Sequence, residues 1–125
     1  MPFSIHVEAD TGVAIGTCTG VLGLDDAKAA ALELWGNAAW KRRAVVWDFR
    51  NARLDAVSDD ISTFARFVTE KQPLPGPSRV AMVTASDVDF GQARVYEALR
   101  ERPPTEVRVF RDFEAAVAWA RAAVV

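Results

Sequence analysis

Two short, nearly unbroken apolar runs constrain this chain most: AVVWDF (Ala44 to Phe49) and RVAMVTA (Arg79 to Ala85). A strand covered on one face alternates apolar and polar residues, whereas a strand buried on both faces has no polar side to show. Runs this short, bounded by turn-forming residues, read as strands rather than helices. Between them Ile61, Phe64, Ala65 and Val68 fall at the i, i+3, i+4, i+7 spacing of one helix face, within Ser58 to Glu70. A buried strand, a helix and a second buried strand form a crossover unit, which requires a parallel sheet covered on both sides.

The rest of the chain extends this pattern. Phe3 to Ala9 alternates, with Phe3, Ile5, Val7 and Ala9 on one face and Ser4, His6 and Glu8 on the other; Asp10 to Gly12 is a turn signal. Val13 to Thr19 then reads as the second strand of a hairpin, broken by GVLG at Gly20 to Gly23. Leu24 to Trp35 is a helix with the stripe Leu24, Ala27, Ala31, Leu34 and Trp35. Asp25 and Asp26 suit its positive end, and Gly36 or Asn37 can stop it in a left-handed conformation. Lys71 to Ser78 carries three prolines and is a loop. Ser86 opens a third helix to about Glu101, with Val88, Val95, Tyr96 and Leu99 on its expected buried side. Glu106 to Arg111 alternates, as an edge strand does. Asp112 caps a last helix packed through Phe113, Val117, Ala120 and Val124. The order is β-β-α-β-α-β-α-β-α, an α/β class with a mostly parallel sheet and an antiparallel N-terminal strand. The 125 residues are expected to form a single domain, 1–125.

Composition excludes several function classes. The net charge of −2 argues against a nucleic-acid binder. No apolar run approaches spanning length and MPFSIHVEAD has no signal-peptide pattern, so a cytoplasmic protein with at most peripheral membrane contact is expected. An arginine-over-lysine bias with abundant alanine is common in GC-rich bacteria. Cys18 is the one cysteine and His6 the one histidine, so no metal site and no disulfide are expected. The glycines of GTCTGVLG match neither nucleotide-binding pattern, no Gly-x-Ser-x-Gly is present, and no cofactor or catalytic residue is assigned. A non-enzymatic protein is expected. Trp40, in NAAWKRR beside Lys41, Arg42 and Arg43, has two readings: an aromatic anchor at a headgroup surface, or a plain connection with solvated charges.

The stretch VVWDFRNARLDAVSDDI (Val45 to Ile61), taken with the element order, resembles the SpoIIAA-like (STAS) domains of anti-sigma-factor antagonists and their relatives. In those, a buried strand ends in aspartate and a loop leads to Asp-Ser-Ser/Thr-Gly at a helix start, where phosphorylation of the hydroxyl switches partner binding. Asp48 matches the strand-end aspartate. The motif positions hold Ala56, Val57, Ser58 and Asp59, so Ser58 alone matches. Two roles stay open for Ser58: a phosphorylation site, or an N-cap whose hydroxyl accepts a first-turn amide. The tail EVRVFRDFEAAVAWARA resembles a group of uncharacterised bacterial SpoIIAA-like proteins through Glu114, Ala115 and Trp119.

The resemblance implies a regulatory or protein-interaction module, with a protein partner or a second copy meeting the second helix and the Asp48–Ser58 loop. Asp48, Arg50, Arg53, Phe67 and Trp40 are the candidate surface. It implies a second role too, since the fold is similar to the CRAL-TRIO lipid-transfer domains: carrier or sensor of a small apolar ligand. That ligand is expected outside the carboxyl ends of the parallel strands, at Gly20–Gly23, Asp48–Ala52, Ser86–Asp89 and Arg111–Asp112.

Overall fold

The computed structural model describes residues 2–41, 43–55, 58–73, 75–100 and 105–123, with Ser58 described by its backbone alone. Five strands and four helices follow one another as β1 (Phe3–Val7), β2 (Ala14–Leu22), α1 (Leu24–Trp35), β3 (Ala44–Leu54), α2 (Ser58–Lys71), β4 (Arg79–Val83), α3 (Asp87–Leu99), β5 (Glu106–Phe110) and α4 (Phe113–Ala122). The sheet order is β1-β2-β3-β4-β5, with β1 antiparallel to β2 and all other pairs parallel. The expected architecture and element order are therefore present, with β5 at an edge.

Each crossover moves one strand in the same direction. Right-handed connections then place α1, α2 and α3 side by side on one face of the sheet. On that face Val45, Trp47, Val80 and Met82 meet Leu34, Ala65, Ala93 and Tyr96. The chain leaves β5 for the opposite face, where α4 lays Ala116, Val117 and Ala120 on Val13, Ala44, Val46, Ala81 and Val83. Small residues on both sides of this contact let the helix sit close. The central strand is thus covered on both faces, as its apolar run requires: Ala44, Val45 and Val46 are each 1% exposed or less.

The chain caps its helices with local polar groups. Asp26 Oδ2 accepts the Gly23 amide at 3.1 Å, Ser86 Oγ accepts the Asp89 amide at 3.1 Å, and Asp112 Oδ1 accepts the Glu114 amide at 3.2 Å. The hairpin turns on Gly12, whose φ of 75° lies in the left-handed region.

Four expectations are corrected. GVLG does not end β2, which continues to Leu22, and β3 continues to Leu54 rather than Phe49. The two extend each other because Thr19, Gly20, Val21 and Leu22 pair with Asn51 to Leu54 beyond a register shift at Cys18. Gly20 takes a φ of 76° inside the strand just beyond that shift, in the left-handed region that favours glycine. Gly36 ends α1 at φ −85°, so this stop is right-handed. On α3, Tyr96 is buried as expected, but Val88, Val95 and Leu99 are exposed, and Asp89 and Ala93 are buried instead. The α3 pattern has two apolar faces, and the small Ala93 lets its own face approach the sheet. Val124 lies outside the described residues.

Candidate functional site

An apolar cavity of about 150 Å³ lies between the sheet and the α1–α2–α3 layer. Its floor is the helix-facing side of the strands, with Phe3, Cys18, Val45, Trp47 and Met82; its roof includes Ala30, Leu34, Phe64, Val68 and Ala93. Small residues cause the space. Ala27, Ala30 and Ala31 face it from α1 and Ala93 faces it from α3, where larger side chains would fill it. The polar lining gathers at two ends. Asp26 and Asp60 lie in the first turns of α1 and α2, and Gln72 and Arg100 follow the last turns of α2 and α3. At this second end the proline loop closes in: Pro77 lines the cavity, its carbonyl accepts the Thr105 hydroxyl at 2.7 Å, and Gly76 leaves room for the Gln72 amide.

Trp40 is buried at 6% exposure, lines this cavity and donates its indole Nε1 to the Ala44 carbonyl at 2.9 Å. It is therefore an interior residue, and the reading as a headgroup anchor is corrected: the ring is apolar enough to join the core and its one donor finds a partner there. Phe67 is half-buried in the α1–α2 seam, 5.8 Å from Trp35 and 6.3 Å from Phe64 between ring centroids, with the Lys28 ammonium over its ring at 5.4 Å.

Asp48 is buried, on the α4 side of β3. Its Oδ1 accepts the Arg50 amide at 3.1 Å and Arg50 Nε at 2.9 Å, and its Oδ2 accepts Arg50 Nη2 at 2.9 Å. The guanidinium also lies 4.4 Å from the Phe113 ring centre. Burial pushes the Asp48 carboxyl up, but the hydrogen bonds and charge of Arg50 together outweigh it and hold the group below the ordinary carboxylate range. Both carboxylate oxygens are occupied. Arg53 is exposed and contributes nothing to this pair. The Ser58 side chain, with both of its roles, lies outside the described residues.

The carboxyl ends of the strands hold a shallower cleft of about 540 Å³, lined by Arg50, Arg53, Asp55, Ser86, Val88 and Asp89. Several of the charges around it are already paired or bonded. Arg50 is held by Asp48, and Asp89 accepts the Leu54 amide at 3.2 Å. Between β4 and β5, whose following helices diverge to opposite faces, Arg111 reaches Asp87 at 2.7 Å and covers the Phe90 ring at 4.4 Å. An exposed ion pair lies at that crevice. The apolar space lies under the helices.

Cys18 lines the cavity and is 2% exposed; burial, with the Asp48 charge adding to it, pushes its thiol up to about 12. It is a neutral packing group at neutral pH. Among the described residues no group of three or more His, Cys, Asp or Glu is placed to hold a metal ion, and no helix is long and apolar enough to cross a membrane. Sequence reasoning missed Arg100, which carries no motif. It missed the cavity too, because an alanine-rich helix face looks the same whether the space above it is filled or empty.

The fold has a solved counterpart. An uncharacterised protein of the DUF3478 family with a SpoIIAA-like fold, from Shewanella loihica PV-4, superposes with a TM-score of 0.61 over 94% of this chain and 91% of that one, at 16% identity. This chain has a SpoIIAA-like fold. The SpoIIAA-like fold accounts for the mixed sheet and the β-β-α-β-α-β-α-β-α order, and at this identity the likeness concerns the fold alone. No protein-family model matches the sequence, and no curated protein matches it either.

Proposed function

We propose that this SpoIIAA-like domain binds a small apolar molecule in the cavity between its sheet and the α1–α2–α3 layer, and acts as its carrier or sensor. The observation supporting this reading is the cavity itself: about 150 Å³ of space with an apolar wall. A dry engineered cavity of about that size takes up benzene or xenon. A body of roughly six carbons gains about 5 kcal/mol on burial, at about 0.8 kcal/mol per carbon. The costs of association offset most of that gain, so binding weaker than about 1 mM is expected. The test is titration of the protein with hexan-1-ol, followed by tryptophan emission, because Trp35, Trp40 and Trp47 line the space. Saturable change in the wild type and its loss in Ala30→Leu, which fills the cavity, are expected. No saturable change, or an equal response in Ala30→Leu, removes the reading.

A second reading, an interaction module, is favoured by the outward stripe of α3, where Val88 is 70% exposed and Val95 and Leu99 are each 46% exposed. The outer face of α2 is polar instead, with Asp59, Arg66, Thr69 and Glu70 turned to solvent. If α3 pairs with a second copy, sedimentation of the wild type shifts with concentration and Val88→Asp abolishes the shift. A monomer at every concentration counts against self-pairing.

A further inference from the structure

A guanidinium nitrogen beside the cavity is left without a partner among the described residues. Arg100, the residue that closes α3, lines the cavity, and its Nε is buried with no hydrogen bond to any of them. The rest of the side chain is held in place. Its Nη1 donates to Thr69 Oγ1 at 2.8 Å, and Thr69 in turn donates to the Ala65 carbonyl at 2.9 Å. The Tyr96 hydroxyl, itself on a buried ring, lies near the same side chain. A guanidinium is always charged and carries five donors in a fixed fork. An idle buried donor on such a group is costly unless an acceptor joins it.

The two ends of the cavity differ in sign. Asp60 stands in the first turn of α2 and Gln72 just beyond its last, so the ends lie about 18 Å apart at the helical rise per residue. Asp26 and Asp60 repel an anion at one end; Arg100 attracts it at the other. The C-terminal partial charge of α3 offsets part of the Arg100 charge, so selection rests on direct hydrogen bonds rather than on a long-range field. Between the ends the wall is apolar, with Phe64, Val68 and Met82 beside the path.

We propose that the ligand of this cavity is a small carboxylic acid, bound as its anion with the carboxylate on Arg100 and its apolar body against Phe64 and Met82. This rests on the reading of the cavity as a ligand site and adds the chemical class of the ligand. A charge-assisted bond from a clamped arginine supplies what a buried carboxylate needs.

The experiment compares hexanoate with hexan-1-ol on the full chain, by calorimetry and tryptophan emission, in the wild type, Arg100→Gln and Arg53→Gln. The two probes share the apolar body and differ in the head. Hexanoate is expected to bind the wild type about tenfold or more tighter than hexan-1-ol, as charged hydrogen bonds imply. Arg100→Gln is expected to erase that preference by weakening hexanoate, and Arg53→Gln, on the surface, to keep it. Equal binding of both probes to the wild type overturns the carboxylate assignment and leaves the cavity reading standing. Loss of both probes in an Arg100→Gln protein with a wild-type circular dichroism spectrum gives Arg100 a structural role only and overturns it too. If neither probe binds the wild type, the cavity reading falls and the assignment falls with it.

Discussion

Replacing Asp48 with asparagine tests whether the conspicuous aspartate of β3 is a structural clamp. Its side chain is 7% exposed and the Arg50 side chain 44% exposed, so the pair lies between two limits. Exposed ion pairs contribute about 0–1 kcal/mol, screened by solvent, whereas breaking a fully buried pair costs about 3–5 kcal/mol. The asparagine amide would keep one carbonyl oxygen for the Arg50 backbone N–H and lose the charge and the second acceptor. The expected cost is about 1–2 kcal/mol, between those limits. At roughly 4 °C per kcal/mol for a domain of this length, the melting midpoint falls by about 4–8 °C.

Arg50→Gln should cost more than Asp48→Asn. It strands a buried carboxylate, whereas removing the Asp48 charge frees a guanidinium that water already reaches. The pH dependence has a definite sign. A carboxyl held below its ordinary value in the folded state stabilises above the unfolded value of about 3.9, and that contribution is lost as pH falls through the folded value. The gap between wild type and Asp48→Asn should therefore narrow below about pH 4. Calorimetric melts of the three proteins from about pH 7 to about pH 3 span this window. A midpoint change under about 1 °C for Asp48→Asn, a milder Arg50→Gln, or a gap independent of pH refutes the clamp.

Two further outcomes follow from the same geometry. Gly16 pairs with Trp47 across β2 and β3, and a Cβ on Gly16 would collide with the indole ring. Gly16→Ala should therefore cost about 1–3 kcal/mol through overpacking and alter tryptophan emission, and an unchanged melt and spectrum would show that the ring moves freely. Cys18, with its thiol pushed up to about 12, should resist an anionic disulfide reagent at about pH 8 until the protein unfolds. Its stabilising contribution is full below about 8.5, the unfolded value, and fades as pH rises toward the folded one. Rapid stoichiometric labelling of the native protein would contradict this.

The α2 stripe was legible because it has one apolar face: Ile61, Phe64, Ala65 and Val68 point to the sheet side and Arg66, Thr69 and Glu70 do not. On α3 two apolar faces compete, Val88–Val95–Leu99 and Ala93–Tyr96, and periodicity cannot rank them. Only the distance between helix and sheet decides, and it favours the face with the smaller residue. Trp40 shows the same limit in the opposite direction, since its charged neighbours suggested a surface while a single carbonyl at Ala44 made the interior acceptable.

Local pattern by itself determined the order of elements, the parallel pairing of the central strands and the cover on both their faces. Periodicity and apolar runs report what each segment must hide, and hiding is a local demand. Tertiary structure alone decided where that demand was left unmet. The alanines of α1 and α3 line a space that larger side chains would fill, and the residue that closes α3 leaves an arginine donor buried beside it. A cavity is a difference between facing surfaces brought together from distant parts of the chain, and no single segment carries it.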